Sequence, residues 1–259
     1  MCLSDWHYGM FCDNIFNTFN PEICVERVDR LLDEATERLQ LHDVQKLHIL
    51  LMGDFCHGAI HTTARVESRE MVVDQVMHVS ELLAETISEL ADVVDEVEVY
   101  STYGNHMRTV QNKKDSQHDD NMEKLIPWWL SERLQYESNV KIHSANEFIF
   151  FRSCGINVVA VHGDLDTVNQ FGVMSNTLFS KKYGATVDYA IMGDKHHAES
   201  MEQYGIETTI VPSLCGTDNY AHGKRLYSNP AQKLLILKDN CGVDAEYNIK
   251  VSEASKCEI

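Results

Sequence analysis

Aspartate, asparagine and histidine gather in five short clusters of this chain, and together they offer the donor atoms that hold a divalent cation. The clusters are Asp5-Trp6-His7, Gly53-Asp54-Phe55-Cys56-His57, Gly104-Asn105-His106, His162-Gly163-Asp164 and Gly193-Asp194-Lys195-His196-His197. Carboxylate oxygen, amide oxygen and imidazole nitrogen suit Mn²⁺, Fe or Zn²⁺ rather than a thiolate zinc site. Three buried carboxylates, Asp5, Asp54 and Asp194, would be costly without a cation. In Asp5-x-His7 and Asp194-x-His196 the donors stand two residues apart, so extended backbone would aim both to one side and turn His197 away. The glycines ahead of Asp54, Asn105 and Asp194 allow sharp turns and close approach of backbone to an ion. Surface loops that happen to be rich in Asp and His are the alternative.

Each cluster follows a predicted strand. The strands are Met1 to Ser4, Leu47 to Met52, Val97 to Tyr103, Ile156 to Val161 and Val187 to Met192, mostly continuous apolar runs of the kind buried on both faces. Open α/β sheets place ligands outside the carboxyl ends of their strands, so the five clusters fall where a site belongs. Between strands, Asn20-Pro21 caps a helix whose stripe is Cys24, Val28, Leu31, Ala35 and Leu39. A second helix is predicted from Val66 to Ala91 along Val72, Val76, Val79, Leu83, Ile87 and Leu90. Smaller helices are predicted over Asn121 to Leu134 and Ser175 to Tyr183. The strand-like runs Ile206 to Val211, Lys233 to Lys238 and Val243 to Val251 predict a second, more antiparallel sheet packed on the first.

Composition narrows the function classes. The 259 residues are 44% hydrophobic, enough for one sizeable core, and four prolines with no repeat or linker point to a single domain over 1–259. The net charge of −18 excludes a generally basic surface, so any phosphate partner must be held locally. No run approaches the roughly 18 apolar residues of a membrane span, and no leader pattern opens the chain, which predicts a cytoplasmic protein. The eight cysteines lack C-x-x-C spacing and read as reduced and structural. Only four residues precede Asp5, fewer than a buried strand usually has, which leaves room for a native chain extending upstream of Met1.

The ordered set Asp5-x-His7, Gly53-Asp54-x-x-His57, Gly104-Asn105-His106, His162 and Gly193-x-x-His196 resembles the calcineurin-like metallophosphoesterases over roughly residues 1 to 200. The resemblance implies a four-layer αββα sandwich of two mixed sheets with a two-metal centre at one edge. Separately, Trp128-Trp129 suggests a helix anchor in a small cap within 107–147. The resemblance also implies that Asp5, His7, Asp54 and His196 hold one ion, with Asp54 bridging to a second held by Asn105 and His162. His106 would face the scissile phosphate and stabilise or protonate the leaving oxygen, while the two ions generate a hydroxide for in-line attack. The form G-D-x-x-H looks like the DNA-repair exonuclease branch, in which the residue matching His57 lies beside the nucleic-acid phosphate. His57 could equally be a satisfied loop histidine. That branch implies DNA as substrate and an ATPase partner. His57 and His61 also have the spacing of a zinc protease helix, but the glutamate after the first histidine is lacking.

The pattern breaks at Asp194, where the family usually has histidine. With a bridging hydroxide, Asp5, Asp54 and Asp194 would cancel the charge of two divalent ions, which favours harder ions such as Mn²⁺ over Zn²⁺, and Lys195 would restore attraction for phosphate. Arg108 and Lys195 are the candidates for substrate binding, within a scatter of Lys113, Lys114, Lys181, Lys182, Lys224 and Arg225 that solvated surface would equally explain. The expectation is a metal-dependent phosphodiesterase or nuclease acting on DNA. A small-molecule phosphatase or cyclic-nucleotide phosphodiesterase is the alternative within the fold. A catalytically silent metal-binding or scaffold protein is the alternative of another class. The sequence leaves the oligomeric state open.

Overall fold

A computed structural model describes residues 1–252. The chain opens with β1 (Cys2–Leu3), a hairpin of β2 (Cys12–Asn14) and β3 (Asn17–Phe19), and helix α1 (Pro21–Leu41). Next come β4 (Lys46–Leu51), α2 (Thr62–Glu67), α3 (Val72–Ala91) and β5 (Glu96–Ser101). A 3-10 turn at Met122–Lys124 leads into α4 (Leu125–Arg133), followed by β6 (Val140–Ile142), β7 (Ile149–Ser153) and β8 (Ile156–Val161). The remainder is α5 (Val168–Tyr183), β9 (Tyr189–Met192), β10 (Glu199–Gln203), β11 (Ile206–Ile210), α6 (Asn219–Gly223), β12 (Ala231–Lys238) and β13 (Gly242–Lys250).

Two sheets pack face to face with helices outside, giving a four-layer αββα sandwich. The first sheet has the order β13-β12-β1-β4-β5-β6 and the second β10-β11-β9-β8-β7. Both are mixed: β1, β4, β5 and β6 run parallel, as do β8, β9 and β11, while the remaining pairings are antiparallel. The continuous apolar runs are explained by alternation. On β4, Ile49 and Leu51 face the helices α1 and α3, while Leu50 and Met52, the residue that follows the strand, face the second sheet. On β8, Val158 and Ala160 point between the sheets, and Val159 and Val161 point toward α5. Helix α1 buries its predicted stripe, and Asn20 caps it by accepting the Ile23 N–H at 2.8 Å.

Three expectations need correction. The C-terminal runs β12 and β13 do not start a second sheet; they complete the first, with β12 antiparallel to β1. The helix expected from Val66 to Ala91 is broken, because Ser68 is extended (ψ 134°) and α3 begins at Val72. Buried Gln75 holds this break, donating to Glu70 O at 2.9 Å and accepting from Gly58 N–H at 2.8 Å. The helix expected over Ser175 to Tyr183 begins seven residues earlier, at Val168. Strands β6, β7 and β10 and the β2–β3 hairpin are additions: three are edge strands and the hairpin is very short, so their apolar signal is weak. The 107–147 segment, expected to carry a small cap, divides into a loop, helix α4 packed on α3, and β6 at the sheet edge.

The cysteines among the described residues are free thiols; Cys257 lies outside the described residues. Among the described residues no helix is long and apolar enough to cross a membrane.

Candidate metal centre

All five clusters stand where β1, β4, β5, β8 and β9 end, at one edge of the sandwich. Past their last paired strand residues, the first two clusters stay zipped together: Asp5 N donates to Gly53 O, His7 N to Asp54 O and Tyr8 N to Phe55 O, at 3.1, 3.0 and 2.8 Å. Gln232 on β12 braces this turn, accepting Ser4 N–H at 2.8 Å and the Trp6 indole N–H at 3.0 Å. Gly53 and Gly104 are required by close approach. A Cβ on Gly104 would lie 2.0 Å from Asp54 Oδ1, and one on Gly53 2.3 Å from Gly104 N.

The expectation of extended backbone at the D-x-H motifs is replaced by a stronger signal. Asp5, His7, Asp54, Asp194 and His196 all adopt positive φ, between 48° and 62°. Left-handed backbone is costly for residues with a side chain and persists where surrounding structure enforces it, which happens preferentially at functional sites. The donors therefore converge through left-handed turns at strand ends.

The side chains form two overlapping groups. In the first, Asp5, His7 and Asp54 each bring a ligand atom within 4.8 Å of the others. His196 Nε2 joins them, 3.4 Å from Asp5 Oδ1 and 3.2 Å from His7 Nε2. In the second, His162 Nε2 lies 3.3 Å from Asp54 Oδ2 and 3.6 Å from Asp194 Oδ1, and Asn105 Nδ2 donates to Asp194 Oδ1 at 3.4 Å. Asp54 belongs to both groups.

The donor atoms fit a cation. Asp5 Oδ1, Asn105 Oδ1 and His162 Nε2 are buried and lack a hydrogen-bond partner, a rare condition for such atoms that a ligand would relieve. His162 donates from Nδ1 to Met52 O at 2.9 Å, which orients the ring and aims Nε2 at the carboxylates. Electrostatics agree. Burial opposes a charge on His162, yet Asp54, Asp5 and Asp194 outweigh it and hold the imidazole well above its ordinary pKa. Burial likewise opposes charge on His196, and its contact with Asp5 raises it to about 9. His7, dominated by burial and neighbouring His106 and His196, is driven well below 6.5. Carboxylates that draw protons onto their neighbours in this way define a place of negative potential suited to a cation.

His106 is arranged differently. Its Nδ1 donates to His57 O at 2.8 Å, its backbone N–H donates to Asp54 Oδ1 at 2.9 Å, and its Nε2 stays 3.9 Å from Asp54 Oδ2. His57 is buried with both ring nitrogens unpartnered, and burial followed by His106 lowers its pKa to about 3. Both line a cleft of about 1140 Å³ with His7, Asp54, Asn105, Asp194, Lys195 and His196. Lys195 is in the cleft wall, its Nζ 2.8 Å from Asp194 Oδ2 and 3.0 Å from Gly163 O. Arg108 is not brought to the donors. It is buried, and its guanidinium is engaged by the carbonyls of Asn105, Val110 and Gln111, so it staples its own loop. His197 is held by Glu199 at 3.2 Å. Asp164, after His162, pairs with Lys113 at 2.7 Å and pins the loop after His106.

Several residues at the site carried no sequence signal. Glu123 is buried and accepts from the backbone N–H groups of Asp54, Phe55 and Gly104 at 3.1, 2.7 and 2.7 Å, clasping the two turns together. Burial and then Asp54 raise its pKa to about 7. Asn121 donates to Gly104 O at 2.7 Å beside it. Buried Cys215 brings Sγ within 4.8 Å of ligand atoms on His7 and His196.

The chain matches no protein-family model. It is 21% identical over 253 residues to the SPbeta prophage-derived uncharacterized protein YonJ of Bacillus subtilis (strain 168), covering 94% of this chain and 62% of that protein. The chain thus spans about three fifths of the length of that curated relative. Among solved structures it is similar to an archaeal phosphodiesterase, at 14% identity and a TM-score of 0.43 with 91% of each chain covered. It is also similar to Vps29 complexed with Zn²⁺ from Entamoeba histolytica, at 14% identity and 0.42 with 97% and 98% covered. A hypothetical protein from Pyrococcus horikoshii OT3 aligns at 9% identity and 0.46 with 97% and 88% covered. At these scores the likeness is loose, and the chemistry rests on the side chains themselves.

Proposed function

We propose that this protein is a metal-dependent phosphodiester hydrolase of the calcineurin-like kind, acting on DNA and preferring Mn²⁺. The observation that carries the reading is the convergence of unpartnered Asp5 Oδ1, Asn105 Oδ1 and His162 Nε2 around shared Asp54, beside a histidine whose free nitrogen borders the cleft. Bound there, divalent ions would supply charge to polarise a phosphoryl group and lower the pKa of water. Asp5, His7, Asp54 and His196 would hold one ion, and Asn105, His162, Asp194 and shared Asp54 the other. The many oxygen donors among these residues favour Mn²⁺.

The chain's own residues supply the rest. With Nδ1 tied to His57 O, His106 presents Nε2 to the cleft and, when protonated, gives its proton to the departing oxygen. Lys195 offers positive charge to a phosphate that enters beside Asp194. His57 borders the phosphate path from the buried side. The cleft exceeds the usual size of a small-molecule pocket, about 300–1000 Å³, which supports a longer substrate.

The test is cleavage of labelled single- and double-stranded DNA and of bis(p-nitrophenyl) phosphate with Mn²⁺. Turnover of the small ester alone removes the nuclease reading, and no turnover of any substrate removes the hydrolase. Loading with Mn²⁺ should give two ions per chain, and Asp194→His should shift preference toward Zn²⁺. Unchanged stoichiometry and preference in that variant would remove the role given to Asp194.

A further inference from the structure

Two exposed tyrosines line one wall of the cleft. Tyr220 and Tyr227 are 68% and 55% exposed and line the same cleft as His106 and Asp54, with Leu226 between them in sequence. Phe16, at the tip of the β2–β3 hairpin, meets Tyr227 edge-on with ring centroids 4.1 Å apart and backs it. The segment carrying these rings is held firmly. Thr217 O accepts from Asn14 and Asn17 of the hairpin, Asp218 caps α6 through the Ala221 N–H at 2.6 Å, and Asn219 donates to Glu67 Oε1 across the cleft mouth at 3.1 Å. The exposed rings are therefore presented by a braced segment, although their side chains bury little themselves.

Two cations stand beside this wall, just outside the lining of the cleft itself. Lys224 and Arg225 are exposed and adjacent, and among the described residues neither has a carboxylate partner within 4 Å. Lys224 Nζ stands 4.6 Å from the centroid of the Tyr220 ring. Asp218 and Glu67 line the cleft on the same side and keep their negative charge while accepting from the α6 cap and from Asn219, and Asp54 and Asp194 line its floor with the metal-site donors. Aromatic faces interleaved with cations, beside a phosphodiester site, are the elements of single-strand recognition: rings stack on bases and cations follow the backbone. In a chain of net charge −18, stacking has to carry more of the affinity than long-range attraction does.

We propose that Tyr220 and Tyr227 form a stacking subsite for unpaired nucleobases, so that the substrate is a single strand whose bases lie against this wall while its phosphate reaches the metal centre. This rests on the phosphodiester hydrolase reading and names its substrate class. Duplex DNA keeps its base faces covered and would lose the contact. Stacking is insensitive to base identity, so the subsite gives strand selectivity with little sequence selectivity.

The experiment uses the Mn²⁺-loaded protein with a labelled thymidine oligonucleotide, the same backbone with abasic tetrahydrofuran units, the matching duplex, and bis(p-nitrophenyl) phosphate. The expected result is that kcat/KM for the base-bearing strand exceeds that for the abasic strand and the duplex by about tenfold or more, chiefly through KM. Tyr220→Ala and Tyr227→Ala should each lower the base-bearing value by about tenfold and leave the abasic value within twofold, while Tyr227→Phe retains the preference. Equal rates on base-bearing and abasic strands, preference for duplex, or variants that slow both strands alike would overturn the proposal. Turnover of bis(p-nitrophenyl) phosphate without cleavage of any strand would overturn it while leaving the hydrolase standing. Silence on all four substrates would end both.

Discussion

Two polar clusters in this protein, one between the sheets and one at the strand ends, differ in whether they are complete. Between the sheets, Lys233 on β12 is fully buried, and its Nζ meets Glu246 and the Thr209 hydroxyl. Glu246 also accepts from Tyr189 at 2.9 Å and Ser200 at 3.2 Å. Charge meets charge, the polar atoms find partners, and the network joins the two sheets. At the strand ends, by contrast, carboxylates face histidines across 3.3 to 3.9 Å while Asp5 Oδ1, Asn105 Oδ1 and His162 Nε2 have no partner. The first cluster is finished by the chain alone, and the second needs something from outside. A solitary orphan is a weaker sign: His48 Nδ1 is also unpartnered, but its ring stacks on Phe151 at 4.5 Å and no second donor points at it. Convergence, more than lack of a partner, marks a site.

That contrast can be broken most severely at Asp54. Asp54→Asn keeps an oxygen for the His106 N–H but removes the shared charge, so turnover should fall by more than about a thousandfold, the scale seen when a member of a catalytic unit is lost. The metal-free protein should lose some stability as well, because His162 loses the carboxylate that most favours its charge. A large fall in stability with retained turnover would reverse the assignment of the two clusters. Lys233→Met should do the opposite, leaving metal uptake and turnover intact and changing stability by no more than about 1 kcal/mol, because the Glu246 that loses its counter-charge is exposed and water solvates it. A denaturant titration of the variant measures this directly. Mn²⁺ at a hundred times its dissociation constant should stabilise the native protein by about 2.7 kcal/mol, with little effect on Asp54→Asn. Calorimetry with and without chelator reads the difference.

The smallest effect concerns His48, whose pKa burial lowers from 6.5 to about 4. A histidine kept neutral in the fold takes its proton first when unfolded, so stability is lost as pH falls below about 6.5 and the loss ends near 4. His48→Gln should remove that loss. Its stability relative to the native protein should grow by at most about 1 kcal/mol per pH unit on acidification, a figure reduced for the ring's partial exposure. Parallel stability curves for the two proteins would show that His48 titrates normally.

Much of the centre was legible because strand ends and donor types are local properties. Apolar runs followed by Asp, Asn or His placed Asp5, His7, Asp54, Asn105, His106, His162, Asp194 and His196 at strand ends, and the structure has them at the ends of strands from both sheets, along one edge of the sandwich. The left-handed backbone of Asp5 and His7 was not legible, since it is imposed by pairing with residues 53–55 across the sheet. The broken helix after Glu67 escaped for a similar reason: Gln75, a polar residue within an apolar stripe, holds the break through contacts with Gly58 and Glu70. Strand order was the hardest part. The runs at β12 and β13 read correctly as strands, but nothing in 231–250 says that they return to β1 rather than joining β11. Arg108 illustrates the limit for side chains, because a cation after G-N-H reads the same whether it faces substrate or its own loop.

The Glu123 carboxylate leaves the centre mechanically dependent on a helix that supplies none of its donors. Glu123 lies two residues before Leu125, where α4 begins, yet its oxygens fix the backbone from which Asp54 and Asn105 project. Transplanting only the ligating loops onto another scaffold would therefore reproduce the chemistry's inventory without its alignment. The smallest portable unit of this centre includes the turn at 121–124 and enough of α4 to anchor it.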